Sequence, residues 1–162
     1  MLDVFTVAFF GHREIEQFHD IGNALEKLIS ELLLKHEYVE FLVGRNGDFD
    51  QMVSSTVREV RNRLGCRNCS LTLVLPYMTA EFRDNEESFL SYYDEVEICQ
   101  AASNAHFKAA MQIRNKEMTD RADLVVFCVD RASGGAYQTL KHVKTNLIPY
   151  INISEKGKGL GF

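Results

Sequence analysis

Three short segments of the sequence combine glycine with side chains that donate hydrogen bonds. They are Gly11–Arg13, Gly44–Asp48 and Ser133–Gly135, and each separates an apolar run from a stretch with helical periodicity. Glycine lets the backbone amides of a turn approach a ligand closely, and the helix that follows carries about half a positive charge at its start. Arginine adds planar, forked donors that suit phosphate, and Arg13, Arg45 and Arg114 are candidates to supply them. These residue types therefore predict an anion-binding site.

The elements that must position these turns alternate between apolar runs and amphipathic stretches. The runs predict strands at Val4–Phe10, Val39–Val43, Leu71–Leu75, Leu124–Val129 and Pro149–Ile153. The amphipathic stretches predict helices at Ile15–Lys35, Asp48–Leu64, Phe107–Ala122 and Gly135–Asn146. Such alternation indicates a three-layer, Rossmann-like α/β domain with a mostly parallel central sheet and helices on both faces. Because parallel strands end at one edge of the sheet, the three turns should meet there.

One domain is expected from residue 1 to 153, followed by a glycine-rich tail at 154–162. Residues 76–105 interrupt the alternation, apart from a short strand at Val96–Cys99. An excursion of this length is typical of a lid, a binding loop or a small subdomain. Its aromatic residues either stack on a bound base or attach the segment to the core, and they are Phe82, Phe89, Tyr92 and Tyr93.

Composition and charge narrow the class of partner. Apolar residues make up 46% of the chain and charged residues 25%, as in an ordinary soluble globular protein. The net charge of −5 disfavours a general nucleic-acid or anionic-membrane surface. No apolar run reaches the roughly 20 residues that span a bilayer, and the N-terminus has no basic leader, so a cytoplasmic location is expected. A homodimer or higher homo-oligomer is the alternative to a monomer.

The four cysteines do not predict a metal or redox centre. Cys66 and Cys69 form a Cys-x-x-Cys in a polar turn, but a structural zinc needs two further ligands and a thioredoxin-type pair opens a helix. Cys99 and Cys128 fall in or beside predicted strands, where cysteine commonly acts as a small apolar residue. No metal and no cofactor is therefore expected.

Several residues at the turns have two interpretations. His12 is either a base or phosphate donor, or an inert turn residue. Asp48 is expected to cap the helix that starts there with its carboxylate, and Asp50 is a second acid beside the same turn. Arg114 is expected at the exposed edge of the sheet, where it would contribute little to folding. The Gly44–Gly47 spacing matches neither the P-loop nor the dinucleotide-binding fingerprint.

Four motifs follow one another along the chain. They are Gly-His-Arg after the first strand, Val-Gly-x-x-Gly-x-Phe-Asp after the second, Arg-Asn-x-x-Met before the strand Ala-Asp-Leu-Val-Val-Phe, and Gly-Gly-Ala after it. This order resembles the SLOG superfamily of Rossmann-like proteins, which includes YpsA-like proteins, the Lonely-guy (LOG) phosphoribohydrolases and the Rossmann part of DNA-processing protein A. The resemblance covers most of residues 4–153 and is closest to a small bacterial branch with the Gly-x-Phe-Asp and Arg-Asn-x-x-Met signatures.

The LOG enzymes add a specific comparison, because they carry Met-x-x-Arg-Lys on the helix and Pro-Gly-Gly-x-Gly-Thr-x-x-Glu in the turn. Met111–Asn115 matches the first motif except that Asn115 stands in place of Lys. Ser133–Gly135 matches the start of the second motif except that Ser133 stands in place of Pro. Lys141 and His142 stand near the position of the catalytic Glu. The resemblance thus implies phosphate binding without the carboxylate that N-glycosidic hydrolysis requires.

Three functions remain open at this point. The first is a ligand-binding or sensor protein for a nucleotide or nucleotide-derived sugar phosphate, which needs only the anion site. The second is a LOG-like N-glycosidic hydrolase, which needs an acid such as Asp50, Glu81, Glu86, Glu95 or Glu97 near the glycosidic carbon. The third is a protein-interaction or DNA-handling module. No catalytic residue is assigned, and the predicted ligand-contacting residues are Gly11, His12, Arg13, Gly44, Gly47, Asp48, Arg114, Asn115, Ser133, Gly134 and Gly135.

Overall fold

In the computed structural model, which describes residues 1–154, strands and helices alternate along the chain. The strands are β1 (Val4–Gly11), β2 (Tyr38–Val43), β3 (Cys69–Leu75), β4 (Glu95–Ile98), β5 (Leu124–Cys128) and β6 (Tyr150–Asn152). The helices are α1 (Phe18–Lys35), α2 (Asp48–Leu64), α3 (Ala80–Asp84), α4 (Glu86–Tyr92), α5 (Gln100–Ser103), α6 (Phe107–Arg121) and α7 (Gly135–Thr145). None of these helices of residues 1–154 has both the length and the hydropathy that crossing a bilayer requires.

The strands of the described chain form one six-stranded sheet in the order β4-β3-β2-β1-β5-β6, and every neighbouring pair is parallel. The chain fills the sheet in one direction from β1 to β4 and then crosses to the other side of β1 for β5 and β6. β1 and β5 therefore flank the point where the strand order reverses. The connections diverge at such a point and leave a crevice at the carboxyl edge of the sheet. The Rossmann-like architecture predicted from the sequence is confirmed.

Alternate residues of the central strands pack on opposite faces of the sheet, because successive side chains of a strand point to opposite sides. From β1, Val7 and Phe9 join the core beneath α1 and α2, whereas Ala8 and Phe10 join the core beneath α6 and α7. All four side chains are buried. Burial on both faces explains why β1 is a continuous apolar run rather than an alternating one.

Residues 76–105 are more regular than the sequence suggested, because they contain α3, α4, β4 and α5. The rings of Phe82 and Phe89 have centroids 5.3 Å apart, and Phe89 lies 6.1 Å from Tyr93. These three side chains are buried and belong to the core on the α1–α2 face. They therefore attach the segment to the core, and β4 extends the sheet.

Two features around the first turns differ from the sequence-based expectations. α1 begins at Phe18 rather than Ile15, because Gln17 has a left-handed backbone with φ of +56°, which a right-handed helix cannot include. The Ile15 side chain is buried, and its N–H donates to Asp48 Oδ2 at 3.3 Å. The expectation that Asp48 caps its own helix is wrong, since α2 follows Gly47 and has no side-chain cap. The Asp48 carboxylate instead holds the loop before α1 against the start of α2.

The predicted tail at 154–162 lies outside the described residues, apart from Ser154. Ser154 is buried, and its N–H donates to Asn152 Oδ1 at 3.2 Å. The same Asn152 oxygen accepts the Val129 N–H at 3.1 Å, while Asn152 Nδ2 donates to Val129 O at 2.9 Å. The end of β6 is thereby tied to the residue that follows β5.

Candidate functional site

A cavity of about 350 Å³ opens at the carboxyl edge of the sheet, where β1 and β5 end. Its walls are the turns after β1 and β2, the segment leading into α7 and the N-terminal half of α6. All of the predicted ligand-contacting residues except Gly47 and Asp48 line it, namely Gly11, His12, Arg13, Gly44, Arg114, Asn115, Ser133, Gly134 and Gly135. The fold thus brings together four segments that are far apart in the sequence.

Arg114 is buried with 3% of its surface exposed, so the expected position at the exposed sheet edge is wrong. Its Nη1 donates to Val74 O at 3.0 Å, and its Nε and Nη2 donate to Asn115 Oδ1 at 3.0 and 2.8 Å. A guanidinium has five N–H groups, and these hydrogen bonds engage three of them. The side chain is therefore both fixed by the protein and able to donate further into the cavity that it lines.

Asp50 faces Arg114 across Gly44. A Cβ added at Gly44 would lie 2.9 Å from Arg114 Nη1 and 3.0 Å from Asp50 Oδ2, so a larger residue would press on both groups. Burial raises the pKa of the Asp50 carboxyl, although the Asn46 N–H at 2.9 Å and the charge of Arg114 oppose that rise. Burial lowers the pKa of Arg114 in turn, and the Asp50 charge opposes that fall. Within residues 1–154, Asp50 is the one carboxylate that lines the cavity.

A chain of hydrogen bonds joins Arg114 to the first turn of α7. Asn115 Oδ1 accepts from Arg114, and Asn115 Nδ2 donates to Thr139 Oγ1 at 3.1 Å. Thr139 Oγ1 donates in turn to Gly135 O at 3.0 Å. Asn115 and Thr139 are both buried, so these bonds are shielded from water. Thr139 is not among the residues predicted from the sequence, although its place one helical turn after Gly135 puts it on the same side of α7.

His12 is a buried neutral base at one wall of the cavity. It is 7% exposed, and its Nε2 accepts the Asp130 N–H at 3.2 Å. Burial and the charge of Arg131 lower the pKa of His12, and the Asp130 carboxylate, 3.3 Å from Nε2, opposes this only in part. Because Nε2 accepts a hydrogen bond, the proton of the neutral ring is assigned to Nδ1. Nδ1 would lie 3.9 Å from a Cβ added at Gly134, so this donor is directed towards the turn before α7.

The start of α7 combines a left-handed glycine with an uncapped helix. Gly134 has φ of +89°, a conformation that side chains with a Cβ rarely adopt. The first turn of α7 contains no acidic residue and no capping side chain, and the first backbone bond of the helix runs from Gln138 N–H to Gly134 O. Within residues 1–154 no acceptor contacts the N–H of Gly135 or Ala136, and both residues line the cavity.

Gly11, Gly47 and Asp48 serve the packing of the fold. A Cβ added at Gly11 would overlap the ring of Phe49, and one added at Gly47 would overlap the backbone of Arg13. The Asp48 N–H donates to Arg13 O at 2.7 Å. Gly47 and Asp48 therefore join the first two turns to each other rather than line the cavity.

Arg45, a candidate phosphate donor from the sequence, points away from the cavity. Its Nη2 lies 3.0 Å from Glu81 Oε1, its Nη1 donates to Tyr93 OH at 3.0 Å, and its guanidinium lies 4.6 Å from the centroid of the Phe89 ring. These contacts form one wall of a separate, wider groove of about 800 Å³ between α2 and the α3–α4 segment. The turn after β2 thus separates the cavity from this groove. Gly44 and Asp50 line the cavity, and Arg45 and Asp48 line the groove.

One acidic group in the described chain has the spacing of a metal site. The carboxylates of Glu40, Glu95 and Glu97 lie within 4.8 Å of one another. Arg121 Nη1 lies 2.7 Å from Glu97 and its Nη2 lies 3.2 Å from Glu40, which raises the pKa of Arg121. The guanidinium already supplies the positive charge that a cation would bring, and the group stabilises the packing of α6 on the sheet.

Comparison with protein-family models and with curated proteins gives no match. Among solved structures, the chain is similar to DNA processing protein A (DprA) from Streptococcus pneumoniae, with a TM-score of 0.66 and 11% sequence identity. The similarity covers 96% of this chain and 55% of that one, so this chain spans about half the length of DprA. At this level of identity the comparison establishes the fold, and this chain shares the Rossmann-like α/β architecture of the DprA structure.

Proposed function

We propose that this chain is a member of the SLOG superfamily and a ligand-binding or sensor protein for a nucleotide or nucleotide-derived sugar phosphate. The observation that carries the proposal is the uncapped start of α7 at the reversal point of the strand order. Two backbone N–H groups, of Gly135 and Ala136, border the cavity there without an acceptor in residues 1–154. The positive end of the helix dipole adds to them, and this combination favours an anion.

The side chains around the cavity add positive charge to that of the helix. Arg13 and Arg131 are exposed at its rim, and Arg114 lies in its interior. Asp50 offsets the charge of Arg114, and Asp130, whose Oδ1 lies 3.2 Å from Arg131 Nη1, offsets that of Arg131, while His12 adds a neutral N–H donor. The excess of donors over acceptors supports a phosphate group rather than a cation or an apolar ligand.

The direct test compares phosphorylated ligands with nucleosides that carry no phosphate. AMP, GMP, ADP-ribose and ribose 5-phosphate should raise the melting temperature, whereas adenosine and guanosine should not. A ligand at 100 times its dissociation constant adds about 2.7 kcal/mol of stability, which a melting scan resolves. Absence of any shift with the phosphorylated compounds at millimolar concentration would show that the cavity is not a phosphate site.

A negative charge placed at the start of α7 should have opposite effects on the stability of the fold and on its affinity for phosphate. Ser133→Asp puts a carboxylate beside the helix N-terminus, where it should stabilise the fold by about 0.3–1 kcal/mol and repel phosphate. Ser91→Asp, at an exposed position of α4 outside the cavity, is the matched control and should leave ligand affinity unchanged. Equal affinities of the two variants for AMP in calorimetric titrations would contradict the proposed position of the phosphate.

A second candidate, N-glycosidic hydrolysis, is favoured by the position of Asp50 in the cavity. Against it, the Asp50 carboxylate already accepts the Asn46 N–H and faces Arg114, whose positive charge opposes an oxocarbenium-like transition state. The other acids considered from the sequence lie elsewhere, with Glu81 paired to Arg45 and Glu97 paired to Arg121. Binding without rapid hydrolysis is therefore the proposal.

A DNA-handling role is the third candidate, and it rests on the likeness of the fold to that of DprA, a DNA processing protein. The net charge of −5 argues against strong contacts with phosphate backbones. Titration of fluorescent single-stranded and double-stranded oligonucleotides at about 50 and 150 mM salt tests it. Tight binding with a steep salt dependence would favour DNA over a small ligand.

A further inference from the structure

A surface helix usually buries apolar side chains and exposes polar ones, and α6 departs from this pattern. It buries the polar residues Arg114, Asn115 and Thr119, and it exposes Phe107 in its first turn. Phe107 is 61% exposed, although an aromatic side chain of this size gains free energy when it is removed from water. The neighbouring His106 ring lies 4.8 Å from the Phe107 ring at an interplanar angle of 30°, so the ring is supported from one side.

The position of Phe107 follows from helix geometry. Phe107 and Arg114 are seven residues apart, which places them on the same side of α6 to within about 20°. Met111 lies between them on that side, is half-buried and lines the cavity. At 1.5 Å per residue, Phe107 is about 10 Å from Arg114 and about 6 Å from Met111 along the helix axis. One side of α6 therefore leads from the cavity interior, through Met111, to an exposed aromatic ring.

We propose that Phe107 and Met111 form a stacking surface for the base of a nucleotide whose phosphate occupies the cavity beside α7. This inference rests on the proposed function and narrows its ligand class to compounds with an aromatic base, as opposed to sugar phosphates alone. A distance of about 10 Å is of the order of the length of one mononucleotide, so a phosphate near Arg114 places the base beside the ring. Stacking on an aromatic ring is available to every base, which gives affinity without selecting one base.

The test compares two ligands on two variants. Phe107→Ala should weaken AMP binding by roughly 5- to 150-fold, the range that base stacking accounts for, and should change ribose 5-phosphate binding by less than about twofold. Leu34→Ala removes another exposed apolar side chain, on α1, and should leave both affinities unchanged. Circular dichroism and melting curves confirm that each variant is folded.

A second measurement reports stacking directly. The chain has no tryptophan, so Phe107→Trp introduces a single indole. AMP should quench its fluorescence and retain near wild-type affinity, whereas ribose 5-phosphate should leave the emission nearly unchanged. Leu34→Trp is the control and should respond to neither ligand.

The outcomes separate this inference from the proposed function. If AMP and ribose 5-phosphate both bind wild type and Phe107→Ala binds AMP as tightly as wild type, the stacking surface is refuted and the phosphate site stands. If neither ligand binds wild type, the proposed function fails and the inference fails with it. Selective loss of AMP affinity, together with quenching in Phe107→Trp, supports both.

Discussion

Replacing Arg114 by methionine should destabilise the fold strongly, because it removes the charge and the hydrogen-bond donors of the side chain. Methionine is chosen because it keeps most of the length of the side chain. Arg114→Met leaves the buried Val74 O and Asn115 Oδ1 without their partner and leaves Asp50 without its counter-charge. An unsatisfied buried acceptor costs about 1–3 kcal/mol, and the substitution leaves two of them, Val74 O and Asn115 Oδ1, besides removing the positive charge near Asp50. We expect a loss of about 3–5 kcal/mol, a large part of a typical total of 5–15 kcal/mol.

Urea unfolding followed by circular dichroism measures this loss. With a slope near 2 kcal/mol per molar urea, a loss of about 4 kcal/mol lowers the midpoint by about 2 M. Arg121→Met on the same helix is the matched control. Arg121 pairs with Glu40 and Glu97 in a partly exposed network, so its loss should cost about 1 kcal/mol or less.

A double variant identifies the source of the loss. Asp50→Asn removes the charge that Arg114→Met leaves unpaired, so the two substitutions together should cost about 1–3 kcal/mol less than their sum. Additive losses would show that Arg114 stabilises the protein through its hydrogen bonds alone. A loss below about 1 kcal/mol for Arg114→Met would refute the reasoning, since it would mean that water reaches the guanidinium in the folded chain.

Three further predictions concern other parts of the site. Burial lowers the pKa of His12 below 6.5, so on acidification the unfolded chain binds a proton at a higher pH than the folded chain does. The free energy of unfolding, measured with urea, should therefore rise with pH up to about 6.5, and it should depend less on pH in His12→Gln. Gly11→Ala and Gly47→Ala should each cost about 1–3 kcal/mol in thermal melts, since an added Cβ would overlap Phe49 at the first position and the backbone of Arg13 at the second. Purified protein incubated with AMP should release almost no adenine, as measured by chromatography. Release of adenine by the wild type that Asp50→Asn abolishes would contradict this.

The arrangement of the strands could be predicted from the sequence because buried parallel strands have a simple signature. β1 is apolar at every position from Val7 to Phe10, and both faces of the sheet use it. The convergence of the turns followed from topology alone, since all parallel strands of a sheet end at one edge. Helical periodicity predicted α6, but its inward face could not be identified from an apolar stripe, because that face carries Arg114 and Asn115.

The roles of individual polar residues could not be predicted, because they depend on contacts with distant segments. Asp48 and Asp50 are two residues apart, yet one contacts Ile15 and the other faces Arg114. Arg45 was an equally good phosphate donor in the sequence, and only the packing of the α3–α4 segment turns it towards Glu81. Side-chain type alone does not specify which side of a turn a residue occupies.

The central position of β1 has a consequence for synthesis on the ribosome. The Thr6 N–H donates to Asp123 Oδ2 at 2.8 Å, over a separation of 117 residues, and β5 is the neighbour that covers this edge of β1. A nascent chain that has emerged as far as α5 therefore exposes one edge of its innermost strand, which is the kind of edge that chaperones protect and that aggregates recruit. Contacts this remote in sequence form slowly. Because β5 and α7 supply one wall of the cavity, truncated products ending before residue 124 should be both aggregation-prone and unable to hold a ligand.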